Sequence, residues 1–211
     1  MKTDDLIDAL ARGVEPEERP RWRRNLAITL AVGLVVTCAL VAVGLGVRPD
    51  IGAARMPIMM KAMFSALCAA IVLPAVVQLM KPGRPLGWRI GAVLLFLALC
   101  AGATIVALMG EMPERRMEAW MGGAVPWCVV LIPLLAAPTA ALLLWFMRAF
   151  APTRLMLTGA AIGALSGGIA AMAYAMYCPT DSVAFVTTWY ALAIAVCAAV
   201  GAVVGSKFLR W

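Results

Sequence analysis

The chain has 211 residues, of which 64% are apolar and only 14% charged. A soluble domain is about half apolar and a quarter charged, so this composition describes a membrane protein and leaves no room for a second globular domain. The formal charge of +7 does not point to nucleic acid, because most basic residues flank apolar runs and set orientation there, and the absence of histidine excludes Ser-His-Asp catalysis.

Residues 1–24 come first and are the only sizeable polar segment. Thr3 suits an N-cap, and Asp4 and Asp5 suit the first turn of a helix. Leu6, Ile7, Leu10 and Val14 recur at helical spacing and make one apolar face, while Asp4, Asp5 and Asp8 make the rest acidic. Gly13 ends the pattern. Glu15, Pro16 and Pro20 mark a linker, and Arg21, Arg23 and Arg24 follow as an anchor at an anionic leaflet. A helix this short is marginal alone in water, so its apolar face needs a partner; the alternative is a frayed terminus.

Six apolar runs follow, at 25–47, 58–80, 87–109, 124–147, 155–176 and 184–206. Each is long enough to cross a hydrocarbon core of about 30 Å as a helix of about 20 residues. The first is longer than a signal-peptide core and follows a polar segment, so it reads as a retained span. Together they predict an all-α fold: a bundle of six transmembrane helices (25–211) carrying a short cytoplasmic head (1–24). With the N-terminus inside, thirteen of the 18 basic residues fall on inner segments and five (Arg48, Arg55, Lys61, Arg115, Arg116) on outer ones. That asymmetry places both termini in the cytoplasm. Pro74, Pro133 and Pro138 lie inside spans and are expected to kink or locally open them. Gly159, Gly163 and Gly167, with Gly201 and Gly205, form small-residue faces that let helices approach closely.

The spans carry little chemistry. Their interiors offer Thr37, Ser65, Thr104, Thr139 and Ser166, and the reading places no charge deep within them. A proton-coupled carrier is therefore disfavoured, whereas a small metal or solute transporter or channel stays open as the alternative. Of the six cysteines, Cys38, Cys68, Cys100 and Cys197 lie within spans as small apolar residues. Cys128, after Pro126 and Trp127, and Cys178, in Tyr177-Cys178-Pro179-Thr180-Asp181, share the outer boundary, where they are expected to be exposed. Thiols there can form a structural disulfide, bind a soft metal or switch between states. Ten of the 14 methionines lie near the outer side, among them Met121 and Met176. With the two thiols they could hold a soft ion such as copper, though methionine is also a common apolar filler at helix ends.

The opening Met1-Lys2-Thr3-Asp4-Asp5-Leu6-Ile7-Asp8-Ala9-Leu10-Ala11, the six spans and the two outer cysteines together resemble the NrsF-like family. These are six-span inner-membrane anti-sigma factors that restrain extracytoplasmic-function sigma factors. The resemblance implies a non-enzymatic regulator without direct nucleic-acid contact. It implies that Asp4, Asp5, Leu6, Ile7, Asp8 and Leu10 hold the sigma factor, and that Cys128 and Cys178 sense redox or metal stress outside. It implies no resident cofactor. Signal is then expected to pass through the fourth and fifth spans.

Overall fold

The computed structural model describes residues 22–81, 87–123, 125 and 127–210. The head positions Asp4, Asp5, Leu6, Ile7, Asp8 and Leu10 lie outside the described residues. The fold is all-helical, with no strand among the described residues. Hydrocarbon cannot satisfy backbone N–H and C=O groups, so each apolar run closes its hydrogen bonds within itself as a helix.

Six helices are long and apolar enough to cross a membrane: α1 (Trp22–Leu45), α2 (Arg55–Leu79), α3 (Trp88–Met109), α4 (Trp127–Arg148), α5 (Leu155–Tyr174) and α6 (Val183–Phe208). Trp22, Arg23 and Arg24, expected in the linker, are already the first turn of α1. Likewise α2 starts at Arg55 rather than at 58, which sets Lys61 well inside the helix. A short helix, Arg116–Met121, lies between α3 and α4.

The bundle is built around α5. In its most apolar stretch 61% of residues are buried, against 6% for α3, so α5 is the axis and α3 the periphery. It packs on α1, α2, α4 and α6, whereas α3 rests against α2 and the first turns of α6. Small residues make this possible. A Cβ on Gly159 would overlap the carbonyl oxygen of Gly201, and one on Gly163 that of Cys197. The α5 and α6 backbones therefore touch directly, and dispersion across that seam replaces the hydrophobic force that lipid cannot supply.

Two apolar clusters fill the core. One, with Leu26, Met80, Met147 and Leu209, lies at the end where α1 begins and α6 finishes. The other, with Val41, Cys128, Ile132, Tyr174, Cys178, Phe185 and Tyr190, lies at the opposite, distal end. The hydroxyls within the spans are absorbed locally. Ser65 donates to Lys61 O (2.9 Å), Ser166 to Ile162 O (2.9 Å) and Thr104 to Cys100 O (3.0 Å). Thr37 donates to Gly33 O (2.8 Å) and lies 3.3 Å from Thr139 Oγ1. The α-helix is unbroken through Pro74, Pro133 and Pro138. Departures from α geometry fall instead in two π-turns at the distal end, Val41–Leu45 and Val186–Tyr190. Such turns recur at functional sites.

Candidate functional site: a buried thiol and ion cluster

The distal end of the bundle gathers chemistry from four separate stretches of chain. Cys128 comes from the first turn of α4. Cys178 comes just after α5, held by its own N–H donating to Tyr174 O at 3.1 Å. Both are 0% exposed, which corrects the expectation of exposed thiols. Helix ends that look free in the sequence are roofed here by the loops that follow them: Tyr177 packs over the same cluster, and Phe185 is buried within it. No disulfide joins any two cysteines among the described residues. Cys128 and Cys178 lie within electrostatic reach of one another and of the Tyr174 hydroxyl.

Two buried tyrosines border the thiols. Tyr174 and Tyr190 are both 0% exposed, and neither hydroxyl has a hydrogen-bond partner of ordinary geometry among the described residues. The Tyr190 hydroxyl nevertheless lies against the Cys178 thiol. Their rings pack together, with centroids 6.0 Å apart. Met176 packs on this cluster, whereas Met121 belongs to the short helix before α4 and is exposed. Among the described residues no group of three or more His, Cys, Asp and Glu converges as a metal site. The apolar cluster that holds Cys128, Cys178 and Met176 also contains Cys68 and Cys197, with Cys38 packed against it.

Next to the thiols lies an ion cluster that the sequence reading missed. Lys61 is 0% exposed, although it was assigned to an outer segment. Its Nζ pairs with Asp181 Oδ1 at 2.6 Å and donates to Cys178 O at 2.8 Å. Arg48, only 8% exposed, reaches the same groups. Its Nη1 donates to Asp181 Oδ1 (2.9 Å) and Cys178 O (3.2 Å), and its Nη2 to Asp181 Oδ2 (3.2 Å) and Asp50 Oδ2 (2.8 Å). Its Nε donates to Asp50 Oδ1 at 2.7 Å. The carbonyl oxygen of Cys178 thus accepts from two cations at once.

The electrostatics follow from this geometry. The side-chain hydrogen bonds to Asp50 and Asp181 raise the Arg48 pKa further and keep its charge. The hydrogen bond from Arg48 holds the Asp50 carboxyl below its ordinary 3.8. Burial pushes the Asp181 carboxyl up, but hydrogen bonds from Arg48 and Lys61, with their charges, pull harder and leave it below 3.8. Arg48, Asp50 and Asp181 therefore keep their charges beside the Cys178 backbone. A signal for the cluster did exist in the sequence. A lysine inside a long apolar run is a functional-site hypothesis by default, with a carboxylate partner to be sought, and Asp181 stands three residues after Cys178.

A second polar knot lies beside the first. Trp189 Nε1 donates to Trp120 O at 2.8 Å, and Trp120 Nε1 to Thr188 Oγ1 at 3.3 Å. Thr104 of α3 meets Thr187 at 2.7 Å. These contacts tie α3 and the short helix to the π-turn that carries Tyr190.

Residues 10–211 match the family profile NrsF, described as negative regulator of sigma F. The anti-sigma-F factor NrsF of Caulobacter vibrioides (strain NA1000 / CB15N) is 36% identical over 215 aligned residues, covering 100% of both chains. The probable anti-sigma-F factor NrsF of Azospira oryzae (strain ATCC BAA-33 / DSM 13638 / PS) is 36% identical over 213 aligned residues, again with 100% of both covered. No solved structure matches the chain. A profile match over most of the chain and two relatives alike from end to end establish that this protein belongs to the NrsF family of negative regulators of sigma F, a regulatory and non-enzymatic family.

Proposed function

We propose that this protein is an inner-membrane anti-sigma factor that holds an extracytoplasmic-function sigma factor at the cytoplasmic face and releases it when Cys128 and Cys178 register redox or metal stress outside. The observation that carries the reading is the end-to-end likeness to two proteins named as anti-sigma-F factors. The excess of basic residues on the terminal side supports cytoplasmic N- and C-termini, which would set the distal thiol cluster toward the periplasm.

The head residues Asp4, Asp5, Leu6, Ile7, Asp8 and Leu10 are the proposed contact. An acidic, amphipathic segment suits a groove on a basic, DNA-binding partner: leucine and isoleucine anchors give affinity, and carboxylates give selectivity and a fast encounter. At the other end, burial of both thiols in one cluster supports a paired response. A two-electron oxidant would take two electrons and two protons from the pair and leave a disulfide, provided the Cα atoms come within about 7 Å. A soft metal ion such as copper would instead bridge the two thiolates, with the Met176 thioether as a third donor.

The test uses the full chain in its membrane with a sigma-F-dependent reporter. Leu6→Asp or Leu10→Asp is expected to abolish repression and capture of the sigma factor while leaving membrane insertion intact. Cys128→Ser/Cys178→Ser is expected to repress but to lose induction by oxidants and soft metals. A chain lacking residues 1–20 that still represses would remove the head as the contact. Full induction of the double cysteine variant would remove the thiols as sensors.

A further inference from the structure

Arg48 spends its whole donor set on holding the thiol loop to the end of α1. A guanidinium has five N–H bonds. All five are used: one from Nε, two from Nη1 and two from Nη2, to Asp50, Asp181 and the carbonyl oxygen of Cys178. The Arg48 main-chain N–H adds a sixth tie, to Met176 O at 3.1 Å. On its other side Arg48 is joined to α1 by a short, shaped connection. The π-turn Val41–Leu45 closes with Gly46 N–H donating to Val41 O at 2.9 Å, and Gly46 takes φ +86°, a conformation that costs other residues strain. Only Val47 separates this turn from Arg48.

We infer that Arg48 is the positioning residue through which a displacement of the Cys178 loop is passed to α1, and so to the segment that precedes Trp22. Cys178 cannot move without moving its carbonyl oxygen, which the Arg48 and Lys61 side chains grip together. Lys61 returns that pull to α2, which is seated on the central α5. Arg48 returns it to α1, which runs as one helix from Trp22 to the π-turn. That helix rests on α4 where Gly33 lies so close to Thr139 that a Cβ would overlap its side chain, and this contact is the fulcrum. The path differs from the expected one through the fourth and fifth spans, because the cations that read Cys178 sit beyond α1 and on α2. Its meaning as a signal rests on the proposed function, whereas the mechanical link does not.

The experiment is hydrogen exchange on the full chain in nanodiscs, followed by mass spectrometry of residues 22–45 and 176–181. Cys178→Leu overfills a fully buried position and must shift the loop. In the Arg48 background it is expected to raise exchange in both segments, by roughly five-fold or more in 22–45, the lower end of a useful coupling. With Arg48→Gln the same change is expected to raise exchange in 176–181 alone. Arg48→Lys keeps a charge without the fork and is expected to fall between. Contacting residues couple in any case, so the relay is read from where the effect goes: Arg48→Gln cancels the effect of Cys178→Leu on 22–45 and leaves 176–181 raised, whereas a merely structural role leaves both segments raised. Should Arg48→Gln not insert, Asp181→Asn carries the same comparison, since it takes the charge from the group that both cations share. The inference is overturned if Cys178→Leu leaves 22–45 unchanged, or changes it equally without Arg48. Capture of the sigma factor by the same proteins is scored separately, so intact coupling without capture would overturn the proposed function and leave the joint standing.

Discussion

Asp181 holds the distal cluster together more than either cation does, because it alone pairs with both. Lys61 is fully buried and has Asp181 and one carbonyl as its partners, whereas Asp181 is 32% exposed and keeps Arg48 if Lys61 is lost. Removing one side of a buried pair is costly when it strands the other charge. Asp181→Ala is therefore expected to cost about 3 kcal/mol, and Lys61→Met, which leaves the partly solvated Asp181 carboxylate paired with Arg48, about 1 kcal/mol. Thermal unfolding in nanodiscs, followed by tryptophan fluorescence, measures both, and equal costs would contradict this assignment. The same carboxylate sets the pH response. The folded pKa of Asp181 lies below its unfolded value near 3.8, so its contribution is complete at neutral pH. It begins to fade below about pH 5 and disappears as pH falls through the lower, folded value. Melting temperature is expected to stay level from pH 7 to about 5 and fall below that, with a shallower fall in Asp181→Asn. Tyr174 argues in the opposite direction. Its hydroxyl is buried without a partner among the described residues, so Tyr174→Phe is expected to raise stability by about 1 kcal/mol rather than lower it. A loss would show that the hydroxyl has a partner in the membrane.

At the scale of the helix, glycine decides which spans can touch. Gly163 on α5 meets the Cys197 backbone, and backbone cannot yield as a side chain can. Among the described residues nothing lies within 4 Å of a Cβ added to Gly102 on α3. Gly163→Val is therefore expected to destabilise the bundle by about 3 kcal/mol or to block its assembly, whereas Gly102→Val changes little. The check is the fraction recovered as a single species by size exclusion in detergent, together with its melting temperature. The tetrad spacing of these glycines was legible in the sequence. Which glycine meets which backbone was not, since the pairing depends on the crossing of α5 and α6. The π-turns were likewise invisible, because no residue type marks them as glycine or proline marks a break.

Across the whole molecule the two ends do different work. The terminal end carries most of the positive charge, and the distal end carries the thiols and a balanced ion cluster. The basic asymmetry of thirteen to five predicts a cytoplasmic C-terminus. A reporter active only inside is expected to work when fused after Trp211, and one active only outside when placed in the 110–123 loop. The opposite pattern would put Cys128 and Cys178 in a reducing compartment and remove their proposed role.

Length, hydropathy and charge asymmetry by themselves determined the fold class, the number of spans and their approximate ends. Each follows from the bilayer acting on one helix at a time: backbone bonds close within the helix, and about 20 apolar residues cross. The resemblance carried by the opening residues pointed to the family, and the end-to-end likeness established it. What only the tertiary structure decided is what meets at the distal end. Residues 48, 61, 128 and 181 come from four separate stretches of chain, and no local rule links them. Lys61 reads as a boundary residue until Asp181 is seen 2.6 Å away. Cys178 reads as exposed until Tyr177, Phe185 and the two cations close over it. A charge survives in a low-dielectric interior only beside its partner, so its place is set by long-range packing rather than by its neighbours in sequence.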